Sequence, residues 1–104
     1  MSDSFVSASA KLTNAVGLHA RPSVKLTQLA KSFVSDLDVA LAPTGPWVDA
    51  KSPLKIMRVK ASKGAVLHIR ARGSDAAAAV ASVVDLVGRR FDEEDEASLE
   101  QARG

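Results

Sequence analysis

Residues Val6-Ser7-Ala8-Ser9-Ala10-Lys11-Leu12-Thr13-Asn14-Ala15-Val16-Gly17-Leu18-His19-Ala20-Arg21-Pro22 open with one hydrophobic period and lead into another, and that change decides the architecture. Val6, Ala8, Ala10 and Leu12 alternate with Ser7, Ser9, Lys11 and Thr13, the period of two of a strand buried on one face. Beyond Pro22, Leu26, Leu29, Ala30 and Phe33 fall at i, i+3, i+4 and i+7, with Lys25, Gln28 and Lys31 around the other side. An amphipathic helix is therefore expected over about 20–33. Arg21-Pro22 marks its start, because the first helical turn tolerates a proline whose missing N–H would have had no intrahelical partner.

Downstream, Leu37, Val39 and Leu41 alternate until Ala42-Pro43-Thr44-Gly45-Pro46 breaks the pattern and Trp47-Val48-Asp49-Ala50 resumes it, which reads as a hairpin with Trp47 packed on it. Lys51-Ser52-Pro53 repeats the cap-plus-proline signature ahead of a short helix, Leu54 to Val59, and Ser62-Lys63-Gly64 supplies the next turn. Ala65, Leu67, Ile69 and Ala71 alternate as a fourth strand. Gly73-Ser74-Asp75 then caps a last helix, whose buried stripe is Val80, Val83, Val84 and Val87. The order β-α-β-β-α-β-α predicts an α+β fold: a two-layer sandwich in which three helices cover one face of a four-stranded antiparallel sheet.

The 104 residues suffice for one domain, and no apolar run reaches the length of a membrane span. The N-terminus lacks the basic start and apolar stretch of a secretory signal, so a cytoplasmic location is the default expectation. With no cysteine, disulfides, thiol nucleophiles and thiolate metal sites are excluded, and neither His19 nor His68 has a carboxylate motif suited to a metal. Neither a metal nor a cofactor is expected. Residues 1–90 carry 13 basic and 6 acidic side chains, whereas residues 91–104 carry 1 and 6. The expected division is a domain over 1–90 and an acidic, disordered tail over 91–104, whose like charges repel and whose apolar surface is too small to offset its ordering entropy. One tryptophan, no tyrosine and no interleaved aromatics argue against a nucleic-acid platform despite the basic surplus.

The chemistry concentrates in Gly17-Leu18-His19-Ala20-Arg21-Pro22. A histidine between a turn and a helix start faces outward-pointing N–H groups that have no partners, and these, with the helix dipole, disfavour imidazolium. A neutral imidazole is a nucleophile. If a ring nitrogen attacks phosphorus, the same N–H groups can bind the phosphoryl oxygens while Arg21 adds a second charge within reach. Gly17 lets the preceding turn take a positive φ. On spacing alone this proves little, since most histidines in such a position merely cap or fill.

The Gly-x-His-x-Arg-Pro stretch, its place near the N-terminus and the element order closely resemble HPr, the phosphocarrier family of the bacterial phosphotransferase system, over about residues 4–90. The resemblance implies that His19 accepts a phosphoryl group through its δ1 nitrogen from enzyme I, itself charged by phosphoenolpyruvate, and passes it to IIA-type domains of enzymes II. It implies Arg21 as charge partner, with Gly17, Ala20 and Pro22 completing the active-site loop and helix start, and a transiently modified carrier rather than a turnover enzyme.

Ala50-Lys51-Ser52 matches the place where many HPr proteins carry a serine phosphorylated by HPr kinase/phosphorylase, so Ser52 is both a helix cap and a candidate regulatory site. Pro53 stands where the family usually has an aliphatic residue. Pro53, Leu54 and Met57 match the family's apolar docking patch, and Lys51 and Lys55 begin a basic strip suited to acidic partner surfaces. The length through Pro43-Thr44-Gly45-Pro46 and the alanine-rich last helix lean toward the nitrogen-related regulatory branch, whose carriers report to metabolic regulators. The alternative reading is a stoichiometric interaction module controlled by Ser52 phosphorylation. A carrier that presents one face to several partners is most simply a monomer.

Overall fold

In the computed structural model, which describes residues 4–92, the chain runs β1 (Val6–Lys11), α1 (Ala20–Lys31), β2 (Asp36–Ala40), β3 (Val48–Asp49), α2 (Pro53–Val59), β4 (Val66–Arg72) and α3 (Ala76–Gly88), closed by a 3-10 turn at Arg90–Asp92. The four strands form one antiparallel sheet in the order β1-β4-β2-β3. This is the α+β architecture and element order expected from the sequence.

The period of two does the sorting. On β4, Leu67, Ile69 and Ala71 are buried beneath the helices, while His68 and Arg70 between them are only half-buried. Ile69 sits opposite Ala8 on β1 and Val39 on β2, so one residue ties three strands into the core. Leu26 and Ala30 of α1, Ile56 of α2, and Val80, Val83 and Val87 of α3 fill the other side, with Val84 at its margin. The opposite face holds Arg70, whose guanidinium carbon lies 4.1 Å from the Phe5 ring centroid and 4.2 Å from that of Trp47. Its Nε donates to Asp38 Oδ2 at 3.1 Å.

Element ends differ from the periodicity in informative ways. Helix α1 stops at Lys31 rather than at about 33, because Ser32 N and Oγ both turn back onto Leu29 O, at 3.0 and 2.6 Å. Phe33 still packs on the core from outside the helix. Strand β3 keeps only Val48 and Asp49, and Trp47 leaves the ladder to stack on Arg70. Gly73 passes so close to Ser35 that a Cβ there would lie 2.5 Å from Ser35 Oγ, which requires glycine at the turn into α3.

Phe91 corrects the boundary drawn at residue 90. Composition assigned it to the acidic tail, but its side chain is fully buried in the core cluster and its carbonyl accepts a hydrogen bond from Lys25 Nζ on α1. Arg90, Phe91 and Asp92 all take positive φ, folding this turn back onto the domain. The hydrophobic gain of burying one aromatic ring outweighs the charge of the single acid beside it. The remainder of the tail expected to be disordered, residues 93–104, lies outside the described residues.

Candidate functional site

The site is built on the loop from β1 into α1. Gly17 has φ +60, and a Cβ on it would come within 2.3 Å of Ala61 O, so the loop can lie against the α2–β4 connection only with glycine there. Leu18 N donates to Ala61 O at 2.9 Å, anchoring the loop from its other side. His19 then takes an extended conformation as the N-cap of α1, and Ser23 N closes the first helical turn onto its carbonyl at 3.0 Å.

The His19 side chain makes no capping hydrogen bond and is exposed. The N–H groups of Ala20 and Arg21 precede the first intrahelical bond and therefore lack helical partners, while Pro22 has no N–H to offer. Among the described residues, the result is an exposed imidazole next to donors without a helical partner, at the positive end of a twelve-residue helix. Arg21 is exposed, and among the described residues no ion pair occupies it. Pro22, by contrast, is buried and fixes the helix start from below.

Beside the histidine, Ala20, Arg21, Val24, Lys25 and Gln28 of α1 face Met57 of α2 across an open groove of about 480 Å³. Its character is apolar with a cationic rim. Val24 is 46% exposed and Leu54 on the neighbouring helix 64% exposed, so both large apolar side chains face outward. Ile56 carries the core contact of α2 instead, which leaves Leu54 wholly on the surface and Met57 half-buried at the groove.

Ser52 is the N-cap of α2, its Oγ accepting from Lys55 N at 3.4 Å, with half-buried Pro53 as the first helical residue. Lys51 is tied down: its Nζ donates to Phe33 O at 3.0 Å, joining the end of α1 to the start of α2. Lys55 is exposed and borders a second cleft with Arg58, Leu41 and Pro46.

Two polar residues at this site escaped the sequence reading. Asn14 is 2% exposed and Ser23 fully buried, and each donates to a carbonyl of the loop preceding His19. The only sequence signal for Ser23 was its place four residues after the cap.

A family model described as the PTS HPr component phosphorylation site matches residues 6–89. The chain belongs to the HPr family. It is 40% identical over 82 residues to the phosphocarrier protein HPr of Cupriavidus necator, a match covering 79% of this chain and 90% of that one. With the phosphocarrier protein NPr of Escherichia coli it shares 33% identity over 85 residues, covering 81% and 92% of the two chains. Among solved structures, HPr-C-His from Thermoanaerobacter tengcongensis superposes with a TM-score of 0.79 at 34% identity, covering 86% of this chain and 99% of that one. An HPr from Bacillus anthracis superposes at 0.72 with 30% identity, covering 78% and 94%. The protein is thus an HPr-type phosphocarrier of the phosphotransferase system.

Proposed function

We propose that His19 is the phosphoryl acceptor, taking the group from phosphorylated enzyme I and yielding it to IIA-type domains. The observation that carries this reading is the exposed, uncapped imidazole beside the free N–H groups of Ala20 and Arg21. A ring nitrogen's lone pair forms the new N–P bond as the donor's bond to the same phosphorus breaks. The transferred oxygens then gain the helix-start donors and the Arg21 guanidinium. Because the group is held shallow, two partner enzymes can reach it in turn, which makes the protein a modified carrier rather than a turnover enzyme.

The groove lined by Val24, Lys25 and Met57, with Leu54 exposed nearby, is the face on which enzyme I and its acceptors dock, and its cationic rim suits acidic surfaces. Ser52, capping the adjacent short helix, is the regulatory site for HPr kinase/phosphorylase; a phosphate there adds negative charge where the docking face is positive. Likeness to an NPr, together with the hairpin insertion and alanine-rich α3, supports the nitrogen-related branch, in which the state of His19 reports to metabolic regulators. A monomer working in the cytoplasm fits this role, and among the described residues no helix is long and apolar enough to cross a membrane.

The test is a two-step transfer. Enzyme I and phosphoenolpyruvate are expected to charge the protein, and the isolated charged form is expected to discharge onto a IIA-type domain. A protein that is charged but never discharges contradicts the carrier reading and favours the stoichiometric module.

A further inference from the structure

The His19 side chain makes no capping hydrogen bond, and among the described residues its position comes from the backbone that delivers it. That backbone is gripped from inside the domain. Ser23 Oγ–H donates to Leu18 O at 2.8 Å, and Asn14 Nδ2–H donates to Gly17 O at 2.8 Å. The two carbonyls immediately before His19 are therefore both taken by buried side chains, while Leu18 N is held by Ala61 O.

The geometry of α1 makes the Ser23 bond unusual. With His19 as N-cap, Leu18 is the residue just outside the helix and Ser23 the fourth residue inside it. Those two positions normally make an apolar contact that fixes the angle at which the chain enters the helix. Here a hydrogen bond does that work, and it constrains more than an apolar contact would. The Leu18 carbonyl and the His19 N–H belong to one rigid peptide plane, which the bond to Ser23 Oγ restrains, and the next plane is held by Ser23 N on the His19 carbonyl at 3.0 Å; between them the two planes set the direction in which His19 projects its Cβ.

We propose that Ser23, seconded by Asn14, is a positioning residue for phosphoryl transfer: it fixes the Leu18–His19 peptide and hence the approach of the imidazole relative to the N–H groups of Ala20 and Arg21. The inference rests on His19 being the phosphoryl acceptor. Neither side chain touches the phosphoryl group. Without the Ser23 hydroxyl, the Leu18 carbonyl is left in the interior of a fully buried residue with no partner in place, and the peptide rotates to find one.

The experiment measures phosphorylation of the intact protein by enzyme I and phosphoenolpyruvate, with kcat and KM determined separately. Wild type is first shown to carry its phosphoryl group on His19; if it does not, the acceptor assignment fails and the positioning role is not at issue. Displacing a reacting group by an ångström costs on the order of 100-fold, and a peptide rotation that moves the ring by a fraction of that costs less, so Ser23→Ala is expected to lower kcat about tenfold with KM essentially unchanged, and Asn14→Ala to act in the same sense. Ser35→Ala is the control, removing a comparably buried hydroxyl in the α1–β2 connection, where it bonds Asp75. Its kcat is expected to stay at the wild-type value. A folded Ser23→Ala protein with wild-type kcat overturns the proposal, as does a loss matched by Ser35→Ala or one confined to KM. Should Ser23→Ala not fold, Asn14→Ala decides in its place by the same criteria.

Discussion

Asp75 Oδ1 accepts the backbone N–H of Ser35 at 2.9 Å, and its Oδ2 accepts that of Val34 at 3.0 Å, joining the start of α3 to the end of the α1–β2 connection. The Ser35 hydroxyl donates to the same carboxylate. Asp75 stands at the N-cap of α3 yet makes no side-chain cap there, because its acceptors serve this long-range contact instead. The Ser35 hydroxyl, first, and the Val34 N–H hold the Asp75 carboxyl below its ordinary value of 3.8.

The sign of the consequence follows. A carboxyl depressed on folding contributes stability above its unfolded value and loses it as pH falls through its folded value. Wild type is expected to lose this contribution below about pH 4, whereas Asp75→Asn, less stable at neutral pH, should show a smaller difference from wild type as pH falls. Urea unfolding midpoints at several pH values check this. A constant difference would contradict it.

Phe91 is core, not tail, and Phe91→Ala is expected to cost about 3–5 kcal/mol. Truncation after Arg90 should therefore lower Tm by at least about 10 °C, whereas truncation after Asp92 should leave it within a few degrees. Thermal melts of the two truncations decide between them.

At Gly17, any side chain meets Ala61 O and the Ser62 backbone while also straining a positive φ. Gly17→Ala should destabilise the fold by at least about 1–3 kcal/mol and slow phosphorylation beyond what the stability loss explains, since the same turn delivers His19. Denaturant unfolding alongside enzyme I kinetics provides the comparison.

Ser52 caps α2 through a hydroxyl that an aspartate carboxylate can replace. Ser52→Asp is accordingly expected to keep Tm while raising KM for enzyme I several-fold, whereas Ser52→Ala loses about 1 kcal/mol of stability and leaves KM alone. Calorimetry and steady-state kinetics check the pair. An unchanged KM for Ser52→Asp would count against regulation through this residue.

What was legible in the sequence was local. The alternation at Leu67, Ile69 and Ala71 and the proline at the start of α1 each encode structure within a few residues, and the elements appear where those signals stand. The sheet order was not legible, because pairs such as Ala8 with Ile69 join distant segments and any strand with the right face could have filled the place. Phe91 was hidden by its company: composition averages over a window, whereas burial is decided by one ring and the Lys25 bond to its carbonyl. At the candidate site, Gly17 to Pro22 form one continuous stretch and could be read. The grips of Ser23 on Leu18 and Lys51 on Phe33 could not, since a serine or lysine in sequence says nothing of which carbonyl it will meet.

The protein has two histidines, of which only His19 is expected to be chemically active. His68 lies on β4 opposite Ser9 and Ala40, well inside the sheet ladder. The most direct measurement is intact-mass analysis after incubation with enzyme I and phosphoenolpyruvate, comparing wild type, His19→Ala and His68→Ala before and after mild acid. One acid-labile phosphoryl group on wild type and His68→Ala, absent from His19→Ala, is the predicted result. A phosphoryl group that persists on folded His19→Ala would contradict the central claim.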